Sequence, residues 1–148
     1  MIFERELSTS DDLEQLYAMI RRFEGLYLTA YFCPAGVLTI GYGTTGADIY
    51  IGMKVTKEWA EYRMRVDLRK FVEGSRKLCP DANSQQLCAI ADFSYNLGLN
   101  ALKNSTFRRK FNAGDIEGAK RELLRWNKAG GKVLRGLTIR RQVEAQLL

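Results

Sequence analysis

Residues 24–45 read EGLYLTAYFCPAGVLTIGYGTT, and this stretch decides the fold. Two short strands are predicted in it, over residues 28–32 and 38–42, because apolar residues flank a Pro-Ala-Gly turn. A carboxylic acid, Glu24, stands at its start, a thiol, Cys33, follows nine residues later, and a hydroxyl, Thr39, follows fifteen residues later. One proton donor and two small polar groups near one turn can protonate a leaving group and orient a water molecule.

The segment before this stretch predicts an amphipathic helix that ends at Glu24. Its apolar residues recur at helical spacing: Leu13, Leu16, Tyr17, Ile20 and Phe23. Glu24 continues this apolar face, so we expect its carboxyl group to be partly desolvated, which favours the protonated acid. Two other interpretations stay open: Glu24 ends the helix without a chemical role, or it pairs with a nearby arginine.

From residue 55 onward the pattern is helical. Helices are predicted over residues 56–73, 84–97, 105–112, 115–125 and 138–147, with a loop at Gly130-Gly131. The helix over 84–97 is apolar on most sides, as a central buried helix is. The expected fold is α+β in one domain of residues 1–148, with a small β-hairpin lobe beside a mostly helical lobe. The β lobe is expected over about residues 28–52 and the helical lobe over about 1–27 and 53–148.

The cysteine and histidine counts exclude several kinds of site. Histidine is absent, and the three cysteines are Cys33, Cys79 and Cys88. Without histidine there is no Ser-His or Cys-His hydrolase arrangement and no histidine-containing zinc site. Three cysteines without paired spacing argue against a disulfide framework, so Cys79 and Cys88 are expected to pack as small apolar groups. No metal and no cofactor are expected.

The net charge of +6 is concentrated in the C-terminal third. Residues 103–148 hold 12 Lys or Arg and 4 Asp or Glu, a net charge of +8, whereas residues 1–102 carry −2. A cationic surface suited to an anionic partner is predicted there, and a basic face kept for solubility is the alternative. Arg140 and Arg141 are expected on this surface, unless they pin the last helix to the core.

Neither a signal peptide nor a membrane span is predicted. The charged residues near the start are too many for the apolar part of a signal peptide: Glu4, Arg5, Glu6, Asp11, Asp12 and Glu14. The longest apolar run is far shorter than the roughly 18 residues of a spanning helix. We therefore expect the protein to fold in the cytoplasm, without stable membrane insertion.

The spacing of Glu24, Cys33 and Thr39 resembles that of the phage-type lysozymes, the endolysins of glycoside hydrolase family 24. The family signature is Glu-Gly, then Asp or Cys nine residues after the Glu, then Thr-Ile-Gly-x-Gly. Further stretches are similar to the family's later motifs: 95–98 (YNLG), 104–106 (NST), 125–131 (RWNKAGG), Gly136-Leu137 and Arg140-Arg141. The resemblance covers residues 13–148.

This resemblance implies hydrolysis of the β-1,4 bond between N-acetylmuramic acid and N-acetylglucosamine in bacterial peptidoglycan, causing host cell lysis. Glu24 would be the general acid, while Cys33 and Thr39 would supply a positioned water or a nucleophile on the other face of the sugar. The substrate-binding residues would be Tyr95, Asn96, Thr106 and Arg125. The protein would be a monomer with no nucleic-acid partner, kept in the host cytoplasm until a holin-type lesion releases it to the cell wall.

Two residues depart from the family pattern, and two other functions stay open. Cys33 stands where many members have Asp, so its role as water-positioning group or nucleophile is open; Thr44 stands where many have His. One alternative function is a non-catalytic module that binds nucleic acid or another polyanion through the basic third and Trp126. The other is a lytic transglycosylase, in which the sugar's own 6-hydroxyl attacks instead of water.

Overall fold

The computed structural model describes residues 10–148, so the predictions for residues 1–9 lie outside the described residues. The helices are α1 (Ser10–Glu24), α2 (Lys57–Leu78), α3 (Ser84–Leu97), α4 (Leu99–Lys103), α5 (Thr106–Asn112), α6 (Ile116–Leu124) and α7 (Arg135–Gln146). The strands are β1 (Tyr27–Phe32), β2 (Leu38–Gly41), β3 (Lys128–Ala129) and β4 (Lys132–Val133). They form two separate antiparallel hairpins, β1 with β2 and β3 with β4. Within residues 10–148, no helix combines the length and the apolarity needed to cross a membrane.

Helix α3 is the centre of the helical lobe. Its residues from Leu87 to Ser94 are all buried, and α1, α2 and α7 pack against it. A capping box fixes its start: Asn83 accepts a hydrogen bond from the Gln86 N–H, and the Gln86 side chain accepts one from the Asn83 N–H. The predicted α+β fold, a small hairpin lobe beside a helical lobe with a central buried helix, is confirmed.

The β lobe positions the turn that carries the thiol. Strand β1 pairs with β2 so that Tyr31 lies opposite Thr39. The turn between them is closed by a hydrogen bond from the Cys33 N–H to the Val37 carbonyl, 3.0 Å. The other edge of β1 is covered by residues 53–55, which exchange backbone hydrogen bonds with it. The lobe thus extends to about residue 55, past the predicted end at 52.

Helix α2 is longer than predicted, because a glycine inside it serves packing rather than termination. The sequence predicts an end near residue 73, but the helix continues through Gly74 to Leu78. A Cβ atom at position 74 would lie 2.6 Å from the Cδ1 atom of Leu99. Glycine at this position therefore allows the start of α4 to pack directly on α2, which outweighs its poor helix propensity.

In the C-terminal third, the longer helices lie where the sequence predicts them, whereas the shortest elements are not predicted. Helices α5 and α6 lie where they are predicted, and Asp115 caps α6 by accepting from the Gly118 N–H at 2.9 Å. The sequence does not predict α4 or the β3–β4 hairpin. Gly130 and Gly131, predicted as a loop, form its two-residue turn with φ of +58° and +78°, as a tight hairpin requires.

The three cysteines are free, and two of them belong to the core. Cys79 and Cys88 are fully buried, which confirms that they pack as apolar groups. Burial raises the pKa of Cys79 to about 11 and that of Cys88 to about 12, so both stay as inert thiols at neutral pH. Cys33 is half-buried, at the end of β1.

Candidate active site

Glu24 is the last residue of α1, where the chain enters the β lobe. Gly25 follows in a left-handed conformation with φ of +70°, which ends the helix. The Glu24 side chain is 16% exposed. Its Oε1 atom lies against the backbone of Gly43, where an added Cβ atom would be 2.5 Å from that oxygen. Only glycine at position 43 lets the carboxyl group lie against the β lobe.

The other carboxyl oxygen of Glu24 is held by Arg140, from helix α7. The Nη1 atom of Arg140 donates to Glu24 Oε2 at 2.6 Å. Its Nε and Nη2 atoms donate to the two carboxylate oxygens of Asp92, on α3, at 2.9 Å each. The sequence leaves pairing of Glu24 with an arginine open, and the structure contains that pair. The Glu24 carboxyl group therefore contacts a charged hydrogen-bond donor, Arg140, as well as the apolar face of α1.

The Arg140–Asp92 pair is buried, with side chains 3% and 0% exposed. Burial works against the charge on Arg140, but Asp92 and Glu24 raise its pKa above the usual range. Burial also works against the ionised form of Asp92, but the charge of Arg140 and a hydrogen bond from Glu144 hold the pKa of Asp92 below its usual value. A paired, hydrogen-bonded guanidinium in this setting has a fixed orientation.

A second arginine extends the buried network. Arg141 is fully buried, and its Nη2 atom donates to Asn96 Oδ1 at 2.7 Å and to Glu144 Oε2 at 3.1 Å. Burial and the neighbouring Asp92 raise the pKa of Glu144 well above its usual value. This shift favours the protonated Glu144 carboxyl, which can donate to Asp92. The amide oxygen of Asn96, predicted to bind substrate, is engaged in this network.

On the β-lobe side, Cys33 and Thr39 flank the same turn. Thr39 is 4% exposed, and its hydroxyl donates to the Val37 carbonyl at 2.8 Å. Burial raises the pKa of Tyr31 to about 12, with contributions from Tyr27, Glu24 and Cys33. The Tyr31 hydroxyl therefore lies within electrostatic range of both Glu24 and Cys33.

Tyr95 ties the central helix to the β lobe. Its hydroxyl donates to the Tyr42 carbonyl at 2.6 Å, in the loop where Ile40 and Thr44 exchange backbone hydrogen bonds. Thr44, which stands where many family members have His, is 1% exposed. The loop next to Glu24 is thus held by a tyrosine and by its own backbone. Tyr95 lies near Glu24, but its hydroxyl already donates a hydrogen bond to the Tyr42 carbonyl.

Two of the predicted substrate-binding residues make contacts outside this cluster. Thr106 is the first residue of α5, and its hydroxyl accepts from Arg109 Nη2 at 3.4 Å. Arg125 follows α6, is 77% exposed and pairs with Glu122 at 3.2 Å. Neither contact involves the residues around Glu24. The described residues 10–148 contain no group of three or more His, Cys, Asp or Glu side chains placed to hold a metal ion.

The sequence does not predict Asp92, Glu144 or Tyr31 as members of the site. Asp92 does carry a signal, because it interrupts the apolar run of a helix predicted to be buried. An acidic side chain in such a place needs a cationic partner, and the Arg140-Arg141 pair offers one. Which arginine meets which acid depends on the packing of α7 against α3, which local sequence does not give.

Comparison with known proteins identifies the family. The family model for phage lysozyme matches residues 21–144. The chain belongs to the phage lysozyme family. The endolysin of Bacillus phage B103 is 42% identical over 132 residues, which make up 87% of this chain and 50% of the relative. The chain spans about half the length of the first curated relatives that it matches.

Solved structures agree with this assignment. The endolysin from Escherichia coli O157:H7 phage FAHEc1 is 36% identical with a TM-score of 0.77, over 90% of this chain and 89% of that one. The muramidase domain of SpmX from Asticaccaulis excentricus is 32% identical with a TM-score of 0.78, over 90% of this chain and 93% of that one. The predicted family and the lysozyme-like fold are confirmed.

Proposed function

We propose that the protein is a glycoside hydrolase that cleaves the β-1,4 bond between N-acetylmuramic acid and N-acetylglucosamine in peptidoglycan. The observation that carries this proposal is the Glu24 carboxyl group at the boundary of the lobes. One oxygen accepts from Arg140 at 2.6 Å, and the other faces Gly43. Membership of the phage lysozyme family supports the proposal, as does the similarity to a protein described as an endolysin and to one described as a muramidase domain.

The contacts of Glu24 indicate which oxygen carries the proton. The guanidinium of Arg140 can only donate, so Oε2 must accept, and the transferable proton belongs on Oε1. In the proposed step Oε1 gives its proton to the glycosidic oxygen, and the bond from that oxygen to C1 of muramic acid breaks. A water oxygen bonds to C1, the proton that this water loses passes to bulk solvent, and Glu24 regains a proton from the solvent. Arg140 positions the acid, and Asp92 positions Arg140 through two 2.9 Å hydrogen bonds.

The test is lysis of purified cell walls, followed by turbidity. Glu24→Gln keeps the shape of the side chain but has no transferable proton, so lysis should fall by at least about 10²-fold while the circular dichroism spectrum is retained. Glu58→Gln, on the exposed face of α2, is the matched control and should lyse normally. Unchanged lysis by Glu24→Gln would favour a non-catalytic binding module. Products with 1,6-anhydromuramic ends instead of reducing ends would identify a transglycosylase.

For Cys33 and Thr39 we propose that they orient the attacking water on the face of the sugar opposite Glu24. The Thr39 hydroxyl donates its hydrogen bond to the Val37 carbonyl, so the lone pairs of its oxygen can accept a hydrogen bond from water. Water attack inverts the anomeric centre, whereas a thioether intermediate would retain it. Cys33→Ala should keep partial activity, Cys33→Asp should be tolerated, and NMR should find the α-anomer first. A first-formed β-product, with an inactive Cys33→Ala variant, would make Cys33 the nucleophile.

The remaining predictions stand as proposals on the family resemblance. Residues 1–148 act as one domain and as a monomer, and the glycan contacts Tyr95, Asn96, Thr106 and Arg125. The enzyme stays in the host cytoplasm until a holin-type lesion admits it to the wall. Expression in a bacterial host with and without a holin tests this last proposal, because lysis should then require both proteins.

A further inference from the structure

A basic pocket lies at the far end of α2 from the β lobe. It has a volume of about 310 Å³ and is lined by Lys103, Asn104, Ser105, Arg108, Arg109 and Asn112. A Cβ atom at Gly41, in the β lobe, would contact Ala60 near the start of α2, whereas the pocket side chains bind the carbonyl of Leu78 at its end. A helix rises 1.5 Å per residue, so these two ends are about 27 Å apart.

The walls of this pocket are held in place by hydrogen bonds. Arg108 donates from Nε to the Leu78 carbonyl at 2.8 Å and from Nη1 to the Lys103 carbonyl at 3.2 Å. Asn112 donates to the same Leu78 carbonyl at 2.8 Å. The guanidinium of Arg108 therefore has a fixed plane at the pocket wall, so part of the entropic cost of ordering a binding site has been met in the free protein.

The charge of the pocket is one-sided. The described residues that line it include three cations, Lys103, Arg108 and Arg109, and no carboxylate. Lys103 and Arg109 are exposed, whereas Arg108 is partly buried. The pKa of the neighbouring Cys79 is raised by burial, and the fields of Arg108 and Arg76 act against that rise. Cations grouped in this way lower the energy of an oxyanion.

We propose that this pocket is a second binding site, which takes an oxyanion, a phosphate or carboxylate group, of the cell-wall polymer. Guanidinium groups match both kinds of oxyanion, and the amide groups of Asn104 and Asn112 add neutral donors. The identification of the wall as the source rests on the proposed function. A site at the opposite end of α2 from the β lobe would hold the polymer at a second point, which raises the effective concentration of glycan at the active site.

The first experiment uses inorganic phosphate as the probe. In a titration at constant ionic strength, amide NMR signals of residues 103–112 should shift and saturate with phosphate but not with chloride. Lys103→Gln with Arg109→Gln should weaken the affinity by at least about 10-fold, since two charged hydrogen-bond donors are lost. Arg108 is left unchanged because it holds backbone carbonyls. The control, Arg121→Gln with Lys132→Gln, removes the same charges from exposed positions outside the lining and should change the affinity by less than about 2-fold.

Binding to cell walls then distinguishes the two sources of oxyanion. Sedimentation of walls with the Glu24→Gln protein measures binding without cleavage, and the pocket variant should bind less than the control pair. Removal of wall phosphodiesters with hydrofluoric acid should abolish this difference if phosphate is the ligand. Amidation of the stem-peptide carboxylates should abolish it if carboxylate is the ligand.

Three results would overturn the proposal: phosphate shifts that do not saturate, equal weakening by both variant pairs, or a difference in wall binding that neither treatment removes. Failure of the wild-type protein to lyse walls would instead reject the proposed function. The phosphate titration would still report on the pocket in that case, so the two failures are distinguishable.

Discussion

The C-terminal third contains two kinds of cation, which differ in burial and in their ion-pair partners. Arg140 and Arg141 are buried and paired with Asp92, Glu24 and Glu144. Other cations of the same third are exposed: Lys103, Arg109, Arg121, Arg125, Lys128, Lys132 and Arg135. The prediction that Arg140 and Arg141 lie on the cationic surface is wrong, and the alternative, that they pin the last helix to the core, is confirmed. The net charge of a segment thus predicts the sign of its surface charge, but it does not predict which charged residues are exposed.

The largest expected difference between buried and exposed cations comes from replacing arginine by glutamine at two positions of α7. Arg140→Gln removes one partner of a buried ion pair and should cost about 3–5 kcal/mol of unfolding free energy. Arg135→Gln, at the exposed start of α7, should stay within about 0.5 kcal/mol of wild type. Urea unfolding followed by circular dichroism measures both values. Equal costs would mean that burial of Arg140 has no energetic consequence.

The same pair of variants separates stability from chemistry. Arg140 also holds the Oε2 atom of Glu24, so Arg140→Gln should lower wall lysis even at temperatures where the variant is fully folded. Arg140→Lys keeps a charge but cannot reach Asp92 through two parallel donors and Glu24 through a third. It should recover part of the stability and less of the activity.

Where the sequence predicts the fold, the signals are local. Helix α3 runs from Ser84 to Leu97 as predicted, because its cap and its apolar run lie within the helix itself. The end of α2 is missed because Gly74 is chosen for its contact with Leu99, in a helix that the sequence does not predict. The β3–β4 hairpin is missed because strands of two residues have no periodicity to detect.

At the candidate site, too, local sequence predicts the positions of some residues but not the contacts between distant ones. Glu24 is predicted at the end of α1 beside the β lobe, because the apolar spacing of one helix and one turn is enough to place it. Its contact with Arg140 spans 116 residues along the chain, and no local pattern specifies such a pair. Family resemblance supplies the residue types at the site, but the pairing Glu24–Arg140–Asp92 comes only from the packing of α7 against α3.

A smaller effect is expected from the exposed cations. If they steer the protein to an anionic wall, lysis should fall as salt rises past about 0.1 M, where the Debye length is about 10 Å. The dependence should flatten when exposed charges are removed in a variant that combines Arg121→Gln, Arg125→Gln, Lys132→Gln and Arg135→Gln. Arg140→Lys, whose charge is buried, should keep the wild-type dependence. Lysis that does not change between low and moderate salt would reject steering.

The smallest effect concerns Glu144, the acid whose protonation sets the charge balance around the two buried arginines. Asp92 already accepts from Arg140 through both of its carboxylate oxygens, so an ionised Glu144 would place a second negative charge beside Asp92 in the core. Burial and Asp92 raise the pKa of Glu144 well above its usual value, while the unfolded chain keeps a pKa of about 4.3.

The sign of the pH effect follows from this raised pKa. The contribution of Glu144 to stability is fully present below the unfolded pKa and is lost as the pH rises towards the folded pKa, by up to about 1.4 kcal/mol per pH unit. Glutamine does not titrate, so the stability of Glu144→Gln relative to wild type should rise between about pH 5 and about pH 7. Glu117→Gln, at a position 77% exposed, should show no such rise. Urea unfolding at the two pH values measures this, and a difference that stays constant or falls would mean that Glu144 is ionised and pairs with Arg141, whose Nε atom lies 2.9 Å from its Oε1 atom.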